Sequence, residues 1–110
     1  MSISDVLIGN SSSGLIEAPS VPVPTVNIGD RQRGRIAPTS VIQAEPDTPS
    51  IVNAITMALS AEFKNSLSDM RNPYGDGATA PRIAAVLTNY PLGPELIKKK
   101  FFDLPVGQVA

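Results

Sequence analysis

Three apolar residues, Val6-Leu7-Ile8, run straight into Gly9-Asn10-Ser11-Ser12-Ser13-Gly14, and Leu15-Ile16-Glu17-Ala18 follows. Apolar run, turn formers and then helix formers is the pattern of a strand that ends tightly and feeds a helix. A strand followed at once by a helix belongs in a parallel sheet, because the chain must cross over before it can pair again. The turn also has chemical consequences. Backbone N–H groups at a helix start lack intrahelical acceptors and lie at the positive end of the helix dipole, where a phosphate would sit. Beyond Glu17 comes a cationic loop, Gly29-Asp30-Arg31-Gln32-Arg33-Gly34-Arg35. A phosphate seat, a carboxylate and an arginine cluster together suggest a sugar-nucleotide site.

The spacing predicts a buried parallel strand over about Ile3 to Ile8. Ser11 to Ser13 can cap a helix over about Ser13 to Pro19, where proline stops it. Pro22 and Pro24 bracket the next connection. Thr25-Val26-Asn27-Ile28 reads as a second strand ended by Gly29, and Ser40-Val41-Ile42-Gln43 as a third. Pro46-Asp47-Thr48-Pro49 starts a helix with proline in its first turn. Ile51, Ile55, Ala58 and Leu59 share one apolar face of that helix. Ser60 caps a second short helix through about Asp69, and Asn72-Pro73-Tyr74-Gly75-Asp76-Gly77 is a run of turn formers. A third helix spans Ala80 to Asn89, with Ile83, Val86, Leu87 and Tyr90 on one side expected to be core. Pro91, Gly93 and Pro94 stop it. Strands alternating with helices give an α/β layer arrangement with a parallel sheet. A doubly wound nucleotide-binding domain normally has more than three strands, so the chain reads as incomplete.

Composition removes several chemistries. The 110 residues, 42% hydrophobic and of net charge -1, suit one soluble globular domain with a modest core. Nine basic residues against ten acidic ones give no case for non-specific nucleic-acid binding. The chain has no cysteine and no histidine. Disulfides, thiolate catalysis and cysteine metal sites are thereby excluded, and the commonest general base and metal ligand is missing. No cofactor or metal is expected. No apolar stretch approaches the ~20 residues needed to span a bilayer, and the N-terminus carries no secretion signal, so a cytoplasmic protein without membrane partners is expected. The glycosylation pattern at Asn10-Ser11-Ser12 is set aside for the same reason.

Three blocks carry a resemblance: Gly9 to Ser20; Pro24 to Arg35 (Pro-Thr-Val-Asn-Ile-Gly-Asp-Arg-Gln-Arg-Gly-Arg); and Asn72 to Gly77. In order and spacing they closely resemble the C-terminal domain of UDP-N-acetylglucosamine 2-epimerases. Lys98-Lys99-Lys100-Phe101-Phe102-Asp103 is similar to the hydrolysing branch, which serves sialic-acid and legionaminic-acid-type sugar synthesis. The resemblance implies a partial Rossmann-like, three-layer parallel sheet, part of the second domain of a glycosyltransferase-B arrangement. On that basis residues 1–90 form an incomplete nucleotide-sugar-binding domain and residues 91–110 a C-terminal tail. It further implies release of UDP by elimination across C1–C2 of the sugar, then hydration to N-acetylmannosamine. Most catalytic groups of the family lie outside the matched region, so none is assigned here.

By matching positions, the resemblance gives Ser11, Ser12 and Ser13 to the diphosphate, with Gly9, Asn10 and Gly14 shaping the turn. Arg31 faces the nucleotide or its phosphates, and Glu17 the ribose or sugar hydroxyls. The chemistry is consistent: a carboxylate is a pure acceptor suited to vicinal hydroxyls, and arginine stabilises a departing diphosphate. A serine-hydrolase elbow is the rival reading of Gly9-Asn10-Ser11. It fails, because Ser13 stands where glycine is required and no histidine serves as base. Arg33 and Arg35 read as largely solvated, and Asn72 to Gly77 as a structural turn.

Two functional classes follow. One is the nucleotide-binding portion of a hydrolysing epimerase, which needs a partner N-terminal domain for catalysis. The other is a non-catalytic module that binds UDP or a UDP-sugar. Exposed sheet edge and helix surface lead to the expectation of a homo-oligomer. UDP and GDP remain alternatives at the level of sequence.

Overall fold

The computed structural model describes residues 1–98 and Lys100. The chain divides into two compact units, one covering Met1–Gly77 and one beginning at Ala78, and each is described by itself.

The first unit is an α/β structure built on three parallel strands: β1 (Leu7–Gly9), β2 (Thr25–Ile28) and β3 (Val41–Ala44), in the order β1-β2-β3. The arrangement fits part of a Rossmann-like fold. Leu7 stands opposite Thr25, and Thr25 opposite Val41, so the three strands start level. Side chains alternate between the two faces. Val26 and Ala44 turn to one face and meet Ala54 and Ala58 of helix α2 (Thr48–Leu59), with Val6, Ile28, Ile42, Ile51 and Ile55 packed around them. Two alanines one helical turn apart let α2 lie close on the sheet. Leu59, expected on that face, is instead 46% exposed at the end of the helix.

The first strand is shorter than its sequence suggests. Ile3 is 97% exposed and lies in a turn in which the Ser4 amide donates to the Met1 carbonyl. The reason lies in β2. The Leu7 amide donates to Pro24, but Pro22 and Pro24 have no N–H to give back, so the ladder cannot extend before Leu7.

The first helix is shorter too. Helix α1 covers Ser13–Ile16, and a 3-10 turn over Ala18–Ser20 replaces its expected last turn. Pro19 has no amide for an α-helical bond, so the chain tightens to Ser20→Glu17 and Val21→Ala18 bonds. The later helix starts follow the sequence closely. Asp47 caps α2 by accepting from the Ser50 amide at 2.9 Å, and Ser60 caps α3 (Ala61–Ser66) by accepting from Phe63 at 3.2 Å. Past Ser66 the chain winds on in turns that bury Leu67.

The second unit contains α4 (Thr79–Asn89) and α5 (Pro94–Ile97). Tyr90 is extended, as the residue before a proline prefers, and this ends α4. Ile83, Val86, Leu87 and Tyr90 were expected to be core, but all are exposed, Leu87 at 72%. Helical spacing establishes that a face is apolar; it does not supply a surface to cover it. The similarity noted for Lys98 to Asp103 falls partly on Lys99 and residues 101–103, which lie outside the described residues, as do residues 104–110 of the expected tail. No helix among the described residues is long and apolar enough to cross a membrane.

Candidate functional site

The serine-rich turn sits at the carboxyl end of β1, where open parallel sheets present their ligand crevices. Gly9, Ser11, Ser13 and Gly14 line a small cleft of about 150 Å³ together with Leu7, Ile8 and Thr25. Gly14 is required by space. A Cβ there would stand 2.7 Å from Thr25 Cγ2, so only glycine lets α1 lie this close to β2.

The turn holds its own amides more firmly than a bare helix start would. Ser12 already has helical dihedrals and makes no side-chain cap. The Ser13 amide donates to Ser11 Oγ at 3.3 Å, the Gly14 amide to the Ser11 carbonyl at 3.2 Å, and the Leu15 amide to the Ser12 carbonyl at 3.0 Å. The first of these is at the long limit of hydrogen-bond geometry. The amides of Ser11 and Ser12 donate to no protein atom among the described residues. These two amides, with the serine hydroxyls, are what the turn offers to an anion. Glu17, one helical turn on from Ser13, accepts from Ser13 Oγ at 2.7 Å and is otherwise exposed.

The cationic loop is tied to this turn through Asn10. Arg31 donates to Asn10 Oδ1 at 3.3 Å, and Gln32 Nε2 donates to the Asn10 carbonyl at 2.8 Å. A guanidinium therefore stands beside the serine turn although the sequence separates the two by a strand. Sequence reasoning missed Gln32. It is only 7% exposed between two exposed arginines, and a lone amide in a polar loop carries no periodic signal. Arg33 and Arg35 turn elsewhere, to a concavity of about 460 Å³ walled by Asn27, Gln32, Gln43 and Glu45. Its floor is held by Asn27 donating to Gln43 Oε1 at 2.8 Å and by Gln43 donating to the Gly29 carbonyl.

The turn at Asn72 also reaches both parts. Asn72 Nδ2 donates to the Ile16 carbonyl at 2.8 Å and to Ser20 Oγ at 2.9 Å, and its Oδ1 accepts from the Tyr74 amide. Tyr74 donates its hydroxyl to the Ile36 carbonyl at 2.9 Å. Among the described residues no cluster of three or more acidic residues is arranged to hold a metal ion.

This order of strand, serine turn, short helix and arginine loop coincides with a family pattern: the sequence model of UDP-N-acetylglucosamine 2-epimerase matches residues 1–88. The chain belongs to the UDP-N-acetylglucosamine 2-epimerase family. Among its curated relatives is the polysialic acid biosynthesis protein P7 of Escherichia coli, 37% identical over 90% of this chain and 25% of the relative. Another is the UDP-N,N'-diacetylbacillosamine 2-epimerase (hydrolyzing) of Legionella pneumophila, 38% identical over 87% of this chain and 24% of the relative. A third, the UDP-N-acetylglucosamine 2-epimerase of Neisseria meningitidis, is 34% identical over 89% and 26% respectively. The chain thus spans about a quarter of the length of the curated relatives it matches.

Proposed function

We propose that this chain is the nucleotide-binding portion of a hydrolysing UDP-N-acetylglucosamine 2-epimerase. The observation that carries the reading is the junction at Asn10, which joins the Ser11–Ser13 turn to Arg31. A diphosphate set there meets the Ser11 and Ser12 amides and the serine hydroxyls on one side and a guanidinium on the other. Glu17 offers its remaining acceptor capacity to ribose or sugar hydroxyls.

The reaction places a clear demand on such a site. Loss of the C2 proton and cleavage of the C1–O bond release UDP and leave a glycal. Water then returns a hydroxyl to C1 and a proton to C2 on the opposite face, giving N-acetylmannosamine. Negative charge builds on the leaving diphosphate as C1–O breaks, and donors already aimed at it lower that barrier. The proton transfers at C2 are the task of a partner N-terminal domain, which belongs with the part of the relatives' length that this chain does not span.

Calorimetric titration tests the proposal. UDP should bind to the pure chain, and uridine, lacking phosphates, should bind at least about tenfold more weakly, as loss of a charge-assisted contact entails. The same preparation should form no N-acetylmannosamine from UDP-N-acetylglucosamine. Equal affinity for UDP and uridine, or turnover by the chain alone, would contradict the assignment. GDP titrated alongside distinguishes the base.

A further inference from the structure

We infer that Asn72 and Tyr74 are positioning residues that hold the two halves of the anion site at a fixed separation; this rests on the diphosphate reading above. The loop over residues 29–37 is exposed along almost its whole length and contains no strand or helix. Its own bonds are two tight turns, Arg33 to Asp30 and Arg35 to Gln32, which shape it locally without fixing where it stands. Its near end is anchored by Arg31 and Gln32 on Asn10. At the far end, the Ile36 carbonyl accepts from the Tyr74 hydroxyl. The Ile16 carbonyl, at the end of α1, accepts from Asn72. Asn72 and Tyr74 are bound to each other by the Tyr74 amide on Asn72 Oδ1. One three-residue turn therefore grips α1 with one side chain and the arginine loop with the other. Its proline and glycines account for the backbone course, but they do not account for an amide and a phenol directed at these two carbonyls.

A group that acts this way changes affinity only through the element it holds. Tyr74→Phe keeps the ring and removes one exposed hydrogen bond. It should speed amide exchange at Arg33 and Arg35, leave Glu17 unaffected, and weaken UDP binding by about three- to tenfold. Asn72→Asp removes the donor to Ile16 but keeps the acceptor for Tyr74. It should speed exchange at Glu17 and Ser20 instead. In an Arg31→Ala background, Tyr74→Phe should leave UDP affinity unchanged, because the hydroxyl acts by placing that guanidinium. An equal loss of affinity in both backgrounds, or unchanged exchange in the loop, overturns the inference. Faster loop exchange with unchanged UDP affinity also overturns it while leaving the diphosphate reading intact. A wild-type chain that binds no UDP defeats the diphosphate reading itself, and the positioning role with it.

Discussion

Arg31→Ala is expected to weaken UDP binding by tenfold to about a hundredfold with the melting temperature shifted by no more than about 2 °C. The two effects separate because of where Arg31 stands. Its side chain is exposed, and its bond to Asn10 Oδ1 is long at 3.3 Å, so its removal leaves no buried partner unpaired. Hydrogen bonds to charged groups contribute about 1.5–3 kcal/mol, and 1.4 kcal/mol is a factor of ten in affinity. Arg31→Lys should recover only part of the loss, since a lysine keeps the charge but not the planar fork that spans two phosphate oxygens. Calorimetry at two salt concentrations checks both claims. The wild-type and alanine proteins should differ most at low salt, where screening is weakest. An alanine variant that binds as tightly as wild type would remove Arg31 from the site.

The second large effect is on stability. Gly14→Ala should destabilise the protein by about 1–3 kcal/mol, although alanine is ordinarily favoured over glycine in a helix by about 0.5–1 kcal/mol. The new Cβ would meet Thr25 Cγ2 at 2.7 Å. Thr25 cannot move aside, because it is 3% exposed and its strand pairs with β1 and β3 on either side. Thr25→Ser removes the obstructing methyl. The double variant should therefore be more stable than the sum of the two single effects, a coupling that urea denaturation reads directly. Additive single effects would show that α1 shifts freely, and that the serine turn is not held against the sheet by this contact.

Much of the framework was legible because it rests on local chemistry. The Thr25–Ile28 strand has the bounds its β-branched run and Gly29 imply, and Asp47 and Ser60 cap the helices their positions suggest. The strand–turn–helix at Gly9 to Gly14 was readable for the same reason. What the sequence hid depends on other parts of the chain. The first strand starts at Leu7 because the facing residues are prolines, a fact about its neighbour. Pro19 signalled a stop, but the 3-10 turn that follows is settled by bonds at Ser20 and Val21. The face of α4 was correctly apolar and wrongly placed in the core, since periodicity carries no information about a partner surface. Gln32, Asn72 and Tyr74 were invisible as parts of the site. Each acts through a bond to a carbonyl brought near only by the folded chain, and no local spacing marks such a residue.

In the proposed function a diphosphate lies between the serine turn and Arg31. Amide chemical-shift mapping during a UDP titration tests it most directly. The largest changes should fall on Ser11, Ser12, Ser13 and Arg31, with smaller ones at Gln32 and Glu17, and uridine should reproduce few of them. Saturable changes confined to Asn27, Arg33, Arg35 and Gln43, the wall of the larger concavity, would contradict it.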